Sequence, residues 1–487
     1  MSIKSNERVP VPFSASIIVV IFIAVSLYIG LFILKVEAHI PLFISVLFAA
    51  IIAMLNGYKW KDLEEGINKT VSTSAASLFI LLAVGVVVGV WTLAGVVPSF
   101  IYYGLQIVSP QLFLPSAAII TAITTLLTGS SWSTAGTIGL ALMAIGNSLG
   151  FNPGLSAGAI ISGAYFGDKL SPISDTTTLA SGISNVNLFD HIKHMLYTTI
   201  PSFTVSLIIY FFISWNYNIK AFDPTYVESI LSGISQNFHI SPILLIPVIL
   251  VIILIILKVP AVGTLLISAI VAGIMGIIFQ GSSLSEVFSA AHYGFSSETG
   301  IEIIDKLLSG GGLNSMLNSI SLFVIALGLA GIMESSGMIS SLNNKIIKLA
   351  KGTFGLIAAT GLTVISSLLI TGDQYLGIIL PGKIYVKEYL RRGISLKNLS
   401  RTLEDFGTAM SSLIPWGACG VFMSSTLGVS TFSYAPFAFF CFLSPIFALI
   451  YAATGFGIAK ASPEELSLLE DEEDVLANSI ESEGKNR

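Results

Sequence analysis

The chain is predicted to be an all-α polytopic membrane protein, an inverted-repeat secondary transporter with broken helices and hairpins and about 10–14 spans. Three observations carry this. Of 487 residues, 54% are hydrophobic and only 10% charged, and the mean hydropathy is +0.86. Apolar runs of roughly 17–25 residues, each long enough to cross a bilayer, follow one another along almost the whole length. Clusters of hydroxyl and acidic residues interrupt these runs at matching places in two halves.

In chain order, residues 1–12 form a cytoplasmic N-terminal segment, 13–215 the first transmembrane repeat and 216–240 an external linker. Residues 241–458 form the second, inverted repeat, and 459–487 an acidic cytoplasmic tail. The first apolar stretch, Phe13 to Leu34, is too long for a signal-peptide core and has no small-residue cleavage site, so it is read as the first span. The stretch from Glu464 to Arg487 holds nine acids and two bases, a balance of −7 against −5 for the whole chain. The membrane body is thus near +2, and the Glu470-Asp471-Glu472-Glu473-Asp474 run reads as a solvated extension. The two cysteines, Cys419 and Cys441, lie in apolar segments and read as small buried hydrophobes. Zinc, phosphate-loop and dinucleotide motifs are missing, so an enzyme, a cofactor and a nucleic-acid partner are not expected.

The duplication is read from three matches in preserved order. Leu34-Lys35-Val36 through Ser45 parallels Leu257-Lys258-Val259 through Ser268. Val84 to Ser99 parallels Leu327 to Ser341, and Leu126-Leu127-Thr128-Gly129-Ser130 parallels Leu369-Ile370-Thr371-Gly372-Asp373. Spacing grows between the first two matches, which places an insertion in the Ser282 to Asn314 connection. Basic residues set the orientation: Lys4 and Arg8, then Lys345, Lys348 and Lys351, then Lys387, Arg391, Arg392, Lys397 and Arg401 all mark cytoplasmic ends. The segment Asn216 to His239 has one Lys and two acids and reads as external, so the halves are oppositely oriented.

Each half carries two breaks. In the first they are Thr128-Gly129-Ser130-Ser131-Trp132-Ser133-Thr134 and Gly167-Asp168-Lys169-Leu170-Ser171-Pro172-Ile173-Ser174-Asp175-Thr176. In the second they are Thr371-Gly372-Asp373-Gln374-Tyr375 and Ser411-Ser412-Leu413-Ile414-Pro415-Trp416. Helices interrupted at corresponding positions of two repeats point to a transport site. Carboxylates, hydroxyls and freed carbonyls are the oxygen ligands a small hard cation takes. Asp175 is the natural charged ligand, with Ser174 and Thr176 completing an Na⁺ set and Ser171 close by. A proton and a cation compete for such a carboxylate, which is antiport in its simplest form.

Asp168 is either a direct ligand or a group pairing with Lys169 or a backbone amide. Lys169 either compensates the carboxylates or snorkels from a helix end. Glu334 is either a second proton carrier or a structural hydrogen-bonding group, and Asp373 either contacts substrate or proton. Ser130, Ser131 and Thr134 approach the site from the neighbouring break or cap half-helices. Trp132, Tyr375 and Trp416 read as packing or gate residues, and the histidines receive no transport role.

The words Phe166-Gly167-Asp168-Lys169-Leu170-Ser171-Pro172-Ile173-Ser174-Asp175-Thr176-Thr177, with Thr128 to Thr137 upstream and His191-Ile192-Lys193-His194-Met195 downstream, closely resemble the NhaC-type sodium/proton antiporter family. The resemblance implies a multi-pass transporter of the bacterial inner membrane that exports sodium against protons by alternating access. That family also holds sodium-linked malate/lactate exchangers with a nearly identical motif, so exchange of a small carboxylate is the alternative. Many antiporters pair as homodimers, but no surface in the sequence marks such an interface.

Overall fold

The computed structural model describes residues 9–107, 109–217, 224–257, 259–301, 304–305, 308–348 and 350–467. Lys4, Arg8, Lys258 and the acidic run 470–474 lie outside the described residues. Among those described no strand occurs, only two isolated bridges, Phe295 with Gly310 and Ile394 with Lys460.

The first half runs α1 (Phe13–Tyr28), α2 (His39–Leu55), α3 (Trp60–Thr73), α4 (Ala75–Leu93), α5 (Val96–Ile107) and α6 (Phe113–Thr128). It continues through α7 (Ser131–Thr134), a π-helical turn (Ala135–Gly139), α8 (Leu140–Ser148), α9 (Pro153–Leu170), α10 (Asp175–Ile183) and α11 (Leu188–Asn216). After α12 (Pro224–Asn237) the second half has α13 (Ile246–Ile256), α14 (Ala261–Phe279), α15 (Leu284–Tyr293), α16 (Leu317–Ser335) and α17 (Met338–Ile347). Then come α18 (Gly352–Thr371), α19 (Gln374–Arg391), α20 (Leu396–Leu403), a second π-helical turn (Glu404–Thr408) and α21 (Ala409–Ser411). The chain closes with α22 (Ala418–Leu427), α23 (Thr431–Tyr434) and α24 (Phe439–Thr454).

Seven of the described helices are long and apolar enough to cross a membrane, or nine if two bent pairs each count as one span. The protein is a multi-pass membrane protein. The expected 10–14 crossings include broken ones, such as α9 with α10, assembled from pieces too short or too polar to span alone.

Two helical hairpins organise the body. α6 ends at Gly129, whose φ of +70° is open to glycine without strain, and the chain then doubles back through α7 and α8. Near their open end Gly146 lies against the ring of Phe113. α18 ends the same way at Gly372, φ +63°, and α19 returns beside it, with Thr363 bonding Tyr385 and Thr360 bonding Tyr389. Arg392 closes that open end on the carbonyls of Gly352 and Ala350. A further helix packs on each hairpin in the same register. Gly163 of α9 meets Ala118 of α6, and Gly361 of α18 meets Phe406; the two separations, 163 − 118 and 406 − 361, are both 45.

The hairpins open to opposite faces, and α11 measures the distance between those faces. At its start His194 bonds Asn398 and Asp190 pairs with Lys397, beside the open end of the α18–α19 hairpin. At its end Ser214 bonds the carbonyl of Pro110 and Tyr217 bonds that of Gly150, at the open end of the first hairpin. Its 29 residues cover about 43 Å at 1.5 Å each. The repeats are therefore inverted. The face at the start of α11 also gathers Lys345, Lys348, Lys351, Lys387 and Arg392. Arg401, grouped by sequence with these surface cations, is instead 1% exposed and donates to the carbonyl of Gly457 at 2.9 Å.

The insertion in the second half is ordered where described. Gly312 donates to the carbonyl of Gly85 at 2.7 Å, and Gly89 leaves room for the carbonyl of Ala290, so the segment seats on α4. The start of the tail is docked as well, Glu465 accepting from Ser395 Oγ and Leu396 N at the N-terminus of α20.

Candidate functional site

α9 stops because Pro172 cannot continue it; Ser171 is already extended, with ψ 124°. Its last turn therefore ends level with the tip of the first hairpin, where Ser171 Oγ donates to the carbonyl of Leu126 at 2.9 Å. A cavity of about 470 Å³ lies there. Three of the four interruptions border it, Gly129 and Ser130 from the first hairpin tip, Pro172 to Ser174 from the break after α9 and Asp373 from the second tip, and Ala418, just past the fourth, completes the wall. α7, α10, α19 and α22 each begin among its lining residues, which brings four partly positive helix N-termini to the cavity.

The described lining residues include three carboxylates, Asp168, Asp175 and Asp373, and no Lys, Arg or His. Asp168 is the most engaged. Ser131 Oγ donates to its Oδ2 at 2.5 Å and Ser174 Oγ to its Oδ1 at 2.5 Å, while Ser174 and Thr176 bond each other at 3.1 Å. The carboxylate is 6% exposed and ties the hairpin tip to the break. Asp175 heads α10 and is exposed to the cavity. Asp373 caps α19, its Oδ1 accepting from Leu376 N at 2.9 Å.

The residues singled out in the sequence thus divide. Asp168, Asp175, Ser130, Ser131, Ser174, Thr176 and Asp373 line the cavity together. Ser171, Thr134 and Glu334 do not. Thr134 sits behind the wall, bonded to Thr125 Oγ1 at 2.8 Å. Glu334 pairs with Lys69 at 3.0 Å near the end of α16. Lys169 turns away from its neighbour Asp168 and is buried against Asp405 at 2.5 Å and Ser444 at 2.9 Å. Trp132 stacks on Phe422, and Trp416 donates to the carbonyl of Leu369.

The lining also contains Gln374, quoted within a break but given no role from the sequence, and Cys419, read from the sequence as a small buried hydrophobe; the two are bonded Sγ to Oε1 at 2.9 Å. Their positions, Gln374 within one break and Cys419 three residues past another, were the available signal. Glu404 and Asp405, a few residues past the cytoplasmic markers Lys397 and Arg401, were not singled out from the sequence. Setting the second repeat on α9 would have placed both acids inside a helix.

A duplicated and inverted helical membrane body, with broken helices converging on a carboxylate-lined cavity, is the plan of a secondary transporter. Residues 163–456 match the Na⁺/H⁺ antiporter family. The chain is 41% identical over 88% of its length to the Na⁺/H⁺ antiporter NhaC of Alkalihalophilus pseudofirmus, covering 93% of that protein. It is 36% identical to the malate-2H⁺/Na⁺-lactate antiporter of Bacillus subtilis over 92% of this chain and 96% of that one. It is also 35% identical to the arginine/ornithine antiporter ArcD of Halobacterium salinarum, over 90% and 91%. The chain belongs to the Na⁺/H⁺ antiporter family and is a transporter, not an enzyme.

Proposed function

We propose that this protein exchanges Na⁺ for H⁺ by alternating access, with Na⁺ entering the cavity at the helix breaks. The observation that carries the reading is the charge of that cavity: three carboxylates and no basic side chain among the described lining residues. A small hard cation finds carboxylate, hydroxyl and carbonyl oxygens there. In this reading Asp168 is the inner ligand, with Ser131 and Ser174, whose hydroxyls already converge on it. Asp175 is the carboxylate an arriving ion meets first, Thr176 and Ser130 add hydroxyls, and Asp373 contributes from the other repeat. Protons compete with Na⁺ for these carboxylates, which couples the two fluxes.

The repeats of this proposal are residues 13–215 and 241–458, joined by the linker 216–240, and they rock against one another about the cavity. The basic face is cytoplasmic and the membrane is the bacterial inner membrane.

Exchange of a small organic anion is the second reading, favoured by cavity volume. About 470 Å³ exceeds what one bare ion needs and falls within the roughly 300–1,000 Å³ of small-molecule pockets. The carboxylate lining opposes it, since malate would face like charges with only helix N-termini to offset them. Proteoliposomes in which Na⁺, K⁺, pH and malate are varied separately test both. Na⁺-driven proton movement that is indifferent to malate supports the first reading; Na⁺ movement that requires malate or lactate sinks it.

A further inference from the structure

Behind the cavity wall lies a second group of charges that the exchange described above does not use. Glu404 and Asp405 occupy the π-helical turn Glu404–Thr408, and both are 0% exposed. Asp405 Oδ1 accepts from Lys169 Nζ at 2.5 Å, Ser444 Oγ at 2.7 Å and Thr198 Oγ1 at 2.8 Å. Asp405 Oδ2 and both oxygens of Glu404 make no hydrogen bond of ordinary geometry, and the donor that lies beside Glu404 is the Thr408 hydroxyl one turn on. Asp405 thus has its counterion and Glu404 has none. A carboxylate shut away from water with no ion-pair partner and a single hydroxyl beside it is costly, and a proton or a cation upon it removes that cost.

The groups around Glu404 favour a proton over a metal ion. α9 brings Lys169 and Asp168, and its own turn brings Asp405. Of the other helices packed on the turn, α20 carries Lys397 and the buried Arg401, whose guanidinium lies in the field of Asp405, α10 carries Asp175, α19 carries Lys383, Tyr385 and Tyr389, and α24 carries Cys441 and Tyr451; α11, which bonds Asp405 through Thr198, carries His191 and His194. α18 has no ionisable side chain. A metal ion here would sit beside the Lys169 ammonium with Asp405 already engaged by it, whereas a proton on Glu404 leaves a neutral acid.

We propose that Glu404 is a proton-carrying site of the exchange, distinct from the Na⁺-binding cavity and coupled to it through α9, where Asp168 faces the cavity and the next residue, Lys169, faces Asp405. This rests on the Na⁺/H⁺ reading. A hydrated proton from one compartment forms the O–H bond on Glu404, and the proton leaves to water of the other. Na⁺ in the cavity and a proton on Glu404 each add one positive charge to the same low-dielectric volume, so each opposes the other, as antiport requires.

The test uses the full chain in proteoliposomes and, separately, infrared difference spectroscopy across a pH step. The proposal expects E404Q to keep Na⁺/Na⁺ self-exchange, to lose Na⁺-driven proton movement by more than about tenfold, and to lose the wild-type carboxylic-acid C=O band that appears on acidification. E404D keeps a carboxyl and is expected to retain coupling with a displaced pH profile; this variant also serves if E404Q does not fold. Proton coupling in E404Q within twofold of wild type, or an E404D pH profile identical to wild type, overturns the assignment of Glu404 alone. A wild type with no Na⁺-dependent proton movement overturns the exchange reading together with it.

Discussion

Ser130 and Asp373 stand at the same turn of two oppositely directed hairpins. Each follows a left-handed glycine and each caps the helix that follows, Ser130 Oγ accepting from Ser133 N at 3.2 Å and Asp373 Oδ1 from Leu376 N at 2.9 Å. A neutral and a charged cap do the same local job. The charge of Asp373 is therefore a surplus over what folding the hairpin requires, and it faces the cavity that Ser130 also lines.

Asp168 and Asp175 are expected to differ on substitution. Asp168→Asn removes the charge and turns one of the two oxygens that accept from Ser131 and Ser174 into a donor, and Na⁺-driven proton movement in inverted vesicles should fall by roughly a hundredfold, about 2.7 kcal/mol. Asp175→Asn should chiefly raise the half-saturating Na⁺ concentration, because this carboxylate is exposed in the cavity. Equal loss of maximal rate in both variants would refute the division of roles.

The hairpin glycines offer a stability comparison. A Cβ at Gly129 would stand 2.7 Å from Ile173 Cγ1 and 2.9 Å from the backbone of Ile173, whereas the nearest atom at Gly372 is 3.3 Å away. Both positions are left-handed, so alanine costs about 1–2 kcal/mol at either. Gly129→Ala should be the more harmful, and thermal unfolding in detergent of the two variants ranks them.

Removing one partner of the buried Lys169–Asp405 pair leaves an uncompensated charge. Lys169→Met is expected to cost about 3–5 kcal/mol, seen as a lowered melting temperature and poor yield. The double variant Lys169→Met with Asp405→Leu should recover much of it. If the double variant is no better than the single, the pair is not what the loss reflects.

Glu334 is expected to matter little. It pairs with Lys69, whose side chain is 71% exposed, and such pairs contribute about 0–1 kcal/mol. Glu334→Gln should leave exchange within about twofold of wild type, measured by Na⁺-dependent fluorescence quenching in vesicles. A complete loss would return Glu334 to the transport path.

The inserted segment has its own pH dependence. The Thr299 hydroxyl, with the amide of Thr299, the Ser297 hydroxyl and the amide of Gly300, holds the Asp305 carboxyl below the usual carboxylate range. A depressed folded value means that the stabilisation is present above the unfolded carboxylate value and is lost as pH falls through the lower, folded one. Amide protection at Thr299 and Gly300 should therefore decline under acid and be absent at neutral pH in Asp305→Asn. Protection that is insensitive to acid would argue against this role.

The helix breaks were legible in the sequence because each is written locally. Thr128-Gly129-Ser130 and Thr371-Gly372-Asp373 spell a left-handed stop followed by a cap, and Pro172 and Pro415 forbid continuation. The duplication was legible too, because apolar runs and glycines recur in order, and so was the family, because the run from Phe166 to Thr177 is unbroken in the chain. The destination of each charge was not written there. Lys169 lies next to Asp168 yet meets Asp405, 236 residues away, and Glu334 lies in an apolar span yet meets Lys69 from 265 residues away. Successive residues on a helix are turned about 100° apart, so neighbours in sequence face different helices, and which helix stands there is set by the packing of the two repeats. That packing alone decided that Asp168 looks into the cavity while Lys169 and Glu404 lie behind its wall.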